Sequence, residues 1–178
     1  MKLIDMSTLA GTAILIGMTM VICTLLVIFH NQQKRKMMSH ILNLLSRVGS
    51  EYNLSFSSQE ILKRCAFGLD GLHRKILIMK NAGDEFNTRI IDLDEVRACS
   101  IKRTFGCIRA GDLKNKNLEQ YLQKIVLQFE FRNNKLPVEV PFFDHAEHTM
   151  YQLSGLERKA KHWQTILSKM IIPIKNIA

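Results

Sequence analysis

The chain has 178 residues, 25 of them Lys or Arg and 16 Asp or Glu, so it carries +9 at neutral pH with histidine uncharged. Hydrophobic residues make up 47% of it, which excludes an intrinsically disordered polyelectrolyte. Its four cysteines include no C-x-x-C pair, which excludes a small disulfide-stapled scaffold and a thiolate zinc knot.

Leu9 to Phe29 reads LAGTAILIGMTMVICTLLVIF, with no charged side chain. As a helix, those residues extend about 31 Å, the thickness of a bilayer's hydrocarbon core. A core helix of a soluble domain would show a polar stripe, and this run shows none. A cleaved signal peptide needs a basic n-region, a shorter apolar stretch and a small-residue cleavage site. Here Lys2 is offset by Asp5, and the run ends Val27-Ile28-Phe29-His30-Asn31 without an A-x-A pattern. The segment is therefore read as an uncleaved single-pass anchor. Lys34, Arg35, Lys36 and Arg47 lie beyond it, against Lys2 before it. Since basic flanks stay cytoplasmic, residues 1–8 are expected outside a cell's inner membrane and everything beyond the anchor inside. Ala13 and Gly17 have small-xxx-small spacing, but such residues are common in membrane helices generally. Only Lys2 and Asp5 precede the end of the run, so the +9 belongs to the residues beyond Phe29.

Residues 30–53 are predicted to continue as a juxtamembrane connecting helix. Met38, Ile41, Leu42, Leu45 and Val48 recur at helical spacing, and Gly49 is the expected stop. Ser57-Ser58-Gln59-Glu60 ahead of Ile61-Leu62 reads as a capping box for a single helical turn. Strands are expected over Cys65–Leu69 and Lys75–Lys80, joined at the hairpin signal Asp70-Gly71. Ala82-Gly83-Asp84 reads as the next turn. Arg89–Leu93 and Ala98–Phe105 read as strands separated at Asp94-Glu95.

The polar interval Gly106–Gln123 is expected to hold one helical turn near Leu118–Leu122. In Lys124–Phe131, Ile125, Leu127, Phe129 and Phe131 alternate with Val126, Gln128 and Glu130, the period of a strand with one apolar face. Asn133-Asn134 turns the chain. Val138–Phe143 returns as a partner at a sheet edge, because Pro137 and Pro141 cannot donate to a central ladder. A closing helix is expected from near Leu156, with Ser154 and Glu157 as its capping box and Pro173 as its stop. Leu156, Ala160, Trp163, Leu167 and Met170 form its apolar stripe, which should bury the only tryptophan.

Several antiparallel strands closed by one amphipathic helix with a mid-helix tryptophan resemble the pleckstrin-homology-like superfold. The stretch Arg89-Ile-Ile-Asp-Leu-Asp-Glu-Val-Arg97 is similar to a strand, acidic turn and strand of bacterial PH-like and GRAM-type domains. The whole arrangement resembles uncharacterised single-pass bacterial membrane proteins of the Bacteroidota type. The resemblance implies an α+β fold: a PH-like antiparallel β-barrel or sandwich over residues 54–172, closed by the C-terminal helix and followed by a tail at 173–178. In PH domains that bind phosphoinositides, basic residues surround the first hairpin, and His73, Arg74 and Lys75 fall near that place.

Signals for chemistry are sparse. Asp144, His145, Glu147 and His148 put four metal-ligating side chains in five residues, without the framing of a known metal motif. No G-x-S-x-G, H-E-x-x-H or P-loop pattern occurs. Cys107 stands two residues from Arg109 with no histidine partner indicated. Lys102, Arg103, Arg109, Lys114 and Lys116 form the densest basic run, a candidate contact for an anionic surface. No nucleic-acid recognition motif accompanies the charge. The expectation is a non-catalytic, membrane-anchored interaction or scaffold module that uses no cofactor. Its partners are the bilayer, through its anchor, and a protein, with weak contact to anionic phospholipid. The alternatives are an anionic-lipid head-group sensor and a metal-dependent enzyme using the Asp144–His148 cluster.

Overall fold

A computed structural model describes residues 6–81, 86–107, 117–133 and 135–171. The chain forms two compact units, one ending at Leu44 and the other beginning at Leu45.

The first unit is the bulk of helix α1, Met6–Glu51, whose last turns belong to the second unit. The helix is long and apolar enough to cross a membrane. Every side chain described from Ile16 to Phe29 is exposed, including Met20 at 67% and Phe29 at 62%. Thr19 and Thr24 turn their hydroxyls back onto the Ile16 and Val21 carbonyls, each at 2.8 Å, so each hydroxyl is satisfied within its own helix.

The expected stop at Gly49 is overrun by two residues. The helix ends because Asn53 takes a left-handed conformation (φ 54°) and the last carbonyls are closed locally. The Asn53 N–H donates to Ser50 O at 3.1 Å and the Leu54 N–H to Gly49 O at 2.8 Å, a Schellman ending. Gly49 serves packing instead, since a Cβ there would lie 2.5 Å from the Phe56 ring.

Among its described residues the second unit has seven strands in two antiparallel sheets. Strands β1 (Ser58–Ile61), β2 (Cys65–Asp70), β3 (Lys75–Asn81) and β4 (Phe86–Asp92) form one sheet in that order. The other sheet is β5 (Val96–Phe105), β6 (Leu122–Phe131) and β7 (Val138–Asp144). The sheets do not join into a closed barrel; they bury their inner faces against each other and against helix α2, Met150–Met170. A short 3-10 helix at Leu118–Tyr121 occupies the expected turn, while the turn expected at Ala82–Asp84 lies outside the described residues.

The segment read as a capping box is strand β1. The Ser57 N–H and hydroxyl both donate to the Leu69 carbonyl on β2, at 2.8 and 3.1 Å, so its polar groups serve the sheet and not a helix end. The hairpin at Asp70 is real, but Asp70 pairs with Lys75, which leaves a four-residue loop. On β7 a register shift opposite Ile125 and Val126 inserts one extra residue, so the consecutive Phe142 and Phe143 are both fully buried. That strand lies at its sheet's edge, as Pro141 within it requires.

Helix α2 starts six residues before the expected Leu156. Thr149 is its N-cap, and the Gln152 side chain accepts the Thr149 N–H at 3.2 Å. Ser154 and Glu157 are ordinary helix positions. The predicted stripe is present: Ala160, Trp163 and Leu167 are buried, and Leu156 and Met170 pack against the same core. Trp163 meets Phe67 edge to face at 4.7 Å, and its ring N–H donates to Glu60 at 3.3 Å. Pro173 lies outside the described residues.

Cys65 and Cys99 are buried, and burial pushes both thiols up to about 12. Cys107 is exposed. A maleimide or disulfide reagent added to the folded domain at pH 8 should therefore label Cys107 and leave Cys65 and Cys99 untouched until denaturant is added. Peptide mass mapping of the labelled sites checks this; early labelling of Cys65 or Cys99 would show that the sheets open locally.

Candidate functional site

On a strand, successive side chains point to opposite faces. The adjacent pair Lys102 and Arg103 therefore parts company: Lys102 reaches Glu139 of β7 at 3.2 Å, while Arg103 turns to Glu157 of α2. Lys161 also binds Glu157, at 2.8 Å. The Lys161 hydrogen bond first, and then Arg103, hold that carboxyl below its ordinary range against the opposing effect of burial. Arg109, Lys114 and Lys116 lie outside the described residues.

A second group of charged residues lies where the β1–β2 turn, the end of β3 and the outer side of β6 and β7 come together. A cleft of about 240 Å³ is lined there by Lys63, Arg64, Lys80 and Lys124, with Val126 and Pro141 as apolar floor and Glu139, Asp144, Glu147 and His148 around it. Local folding rules put each residue in place. Leu62 N–H donates to Cys65 O at 2.8 Å, closing a tight turn that projects Lys63 and Arg64. Lys80 is opposite Cys65 on the neighbouring strand. Lys124 and Asp144 are register partners on β6 and β7.

The Asp144–His148 cluster contributes to one wall of this cleft. Glu147 and His148 donate their backbone N–H groups to the Asp144 carbonyl at 3.0 and 2.9 Å, folding the segment into a turn. The Asp144 carboxylate accepts the Ala146 N–H at 3.0 Å and pairs with Lys124 at 3.4 Å. Burial alone would raise its pKa; the Ala146 hydrogen bond, Lys124 and Arg64 outweigh that and lower it. His148 stacks on Phe143, with ring centres 5.8 Å apart. Among the described residues no three His, Cys, Asp or Glu side chains converge as a metal site.

Sequence reading missed Lys63, Lys80 and Glu139. Lys63 contacts Glu147 across 84 positions, and Lys80 contacts Glu139 across 59. Proximity of that kind arises only where two sheets meet, and no spacing within either segment announces it.

His73, Arg74 and Lys75 belong to the β2–β3 hairpin, and the first two have structural partners. The His73 ring binds the buried Asp70 at 2.8 Å, and Arg74 reaches Asp94 at 2.9 Å and the carbonyl of Met170. No family model, curated protein or solved structure matches the chain.

Proposed function

We propose that the chain is a single-pass membrane protein whose second unit is a PH-like, non-catalytic interaction module held at the cytoplasmic face of a bacterial inner membrane. The observation that carries this reading is the uncharged run Leu9–Phe29, whose described side chains are all exposed. An apolar surface of that length is stable in water only when something apolar covers it, and its length suits a bilayer. Lys34, Arg35 and Lys36, just past the run, support a cytoplasmic location for the second unit. The antiparallel strands of the described residues, in a four-plus-three arrangement, with a C-terminal helix burying a mid-helix tryptophan, support the PH-like assignment. The resemblance to single-pass proteins of the Bacteroidota type belongs to the same proposal.

Such a module works by position. The anchor confines it to a plane, which raises its effective concentration toward partners at the same membrane. The direct test is protease accessibility. Protease added to intact spheroplasts should leave the Leu45–Ile171 unit uncut, and detergent should expose it. Digestion from outside would reverse the topology and remove the cytoplasmic reading.

A further inference from the structure

The cations of the cleft fall into two kinds. Arg64 pairs with Glu147, and Lys124 pairs with Asp144 at 3.4 Å, so these charges are matched by carboxylates. Lys63 and Lys80 instead donate to neutral acceptors, the backbone carbonyls of Glu147 at 2.6 Å and Glu139 at 2.7 Å. The Glu139 carboxylate is engaged by Lys102 at 3.2 Å. Neither Lys63 nor Lys80 has an ion-pair partner among the described residues. Each ammonium has three donors, so each retains capacity beyond its carbonyl.

We infer that this cleft receives carboxylate side chains from an acidic segment of a partner protein, with Lys63 and Lys80 as the recognition residues. The inference rests on the interaction-module reading and names the chemistry of the partner. The charge pattern selects a singly charged oxyanion. A carboxylate can accept from either unmatched ammonium group without displacing a carboxylate from the Arg64–Glu147 or Lys124–Asp144 pair. A phosphate dianion brings about twice the negative charge past Glu139, Asp144 and Glu147, so whatever repulsion their paired carboxylates leave weighs more on it than on a carboxylate. Val126 and Pro141 give the floor an apolar surface for the methylene groups of Glu or Asp, which partly dehydrates the new ion pairs. The excess positive charge of the whole chain steers an acidic segment toward it.

The test uses the full chain in nanodiscs of neutral phosphatidylcholine and a fluorescent Glu-rich peptide, monitored by anisotropy. The wild type should bind at low salt and lose the peptide near 0.5 M salt. Lys63→Gln combined with Lys80→Gln should weaken binding roughly 10-fold or more, the loss of two charge-assisted hydrogen bonds. A control of equal charge, Lys161→Gln with Lys169→Gln on α2, should change it less than about 2-fold. Equal losses in both double variants would mean net charge alone attracts the peptide, and would overturn the cleft assignment. Absence of peptide binding by the wild type would overturn it too, as would nanodiscs containing anionic lipid being the only ligand sensitive to Lys63 and Lys80. Each of those outcomes leaves the protease result untouched, so failure of the cleft and failure of the anchored-module reading are distinguishable. Unchanged labelling of Cys65 and Cys99 confirms that the variants remain folded.

Discussion

Trp163→Ala should destabilise the second unit by about 3–5 kcal/mol, a large share of a domain's stability. The indole is 3% exposed, packs edge to face on Phe67 at 4.7 Å and ties α2 to the first sheet within the shared core. Its removal leaves a cavity whose walls belong to β-strands fixed by their own ladders, which limits collapse. It also strips Glu60 of one donor, leaving Lys159 at 2.7 Å as its described side-chain partner. The full chain in detergent is the appropriate sample, with exposure of Cys65 and Cys99 to a thiol reagent as the temperature readout. The midpoint should fall by about 10 °C or more. Trp163→Phe keeps most of the apolar contact and should cost roughly half as much. An unchanged midpoint in Trp163→Ala would show that α2 does not close the core.

Asp70→Ala should cost about 3 kcal/mol or more, although Asp70 touches no cleft residue and sits in a hairpin corner. Its fully buried carboxylate accepts the backbone N–H groups of Ser55 at 2.7 Å, Leu72 at 2.9 Å and His73 at 2.8 Å, and also binds the His73 ring. Removing it leaves three backbone donors without their acceptor, each worth about 1–3 kcal/mol when buried. The same contacts give stability a pH dependence. Burial would raise the Asp70 pKa, but the hydrogen bonds from His73 and Ser55 and the charge of His73 overcome that and lower it to about 2. An unfolded aspartate titrates near about 3.9. Its contribution is therefore fully present above about pH 4 and is lost as the pH falls toward 2. Urea midpoints of the wild type should decline through that window. Asp70→Ala should decline less steeply, with the residual slope coming from Asp144 and Glu157, whose pKa values are also lowered. Parallel declines would mean that the network does not hold the carboxylate ionised.

Where one segment carries its own instruction, sequence reading anticipated the structure. Twenty-one uncharged residues need no partner to declare a membrane-length helix. Alternation at Ile125, Leu127 and Phe129 names a strand and its buried face, because side-chain period is a property of the backbone. The α2 stripe was legible for the same reason. Boundaries were less so. Ser154–Glu157 was the capping box expected for α2, but the structure caps the helix at Thr149–Gln152, lengthening it by almost two turns. Ser57–Glu60 had the composition of a helix start, but the unpaired edge of β2 beside it made a strand the better arrangement.

Residue pattern alone was enough for the long apolar helix, the order of helix, strands and closing helix, and the burial of Trp163. Tertiary structure alone decided three other things. It set Phe56 between Gly49 and Gly68, where an added Cβ on either would lie within 2.6 Å of the ring. It chose the partners of Lys102 and Arg103, which strand alternation already turns to opposite faces: Glu139 on β7 for one and Glu157 on α2 for the other. It gathered Lys63, Lys80, Glu139 and Glu147 into one cleft. The physical reason is common to all three. Periodicity and capping act over a few residues, within one element, whereas these contacts depend on register, sheet facing and loop closure between different elements, across as many as 84 positions in the cleft, which only the assembled fold supplies.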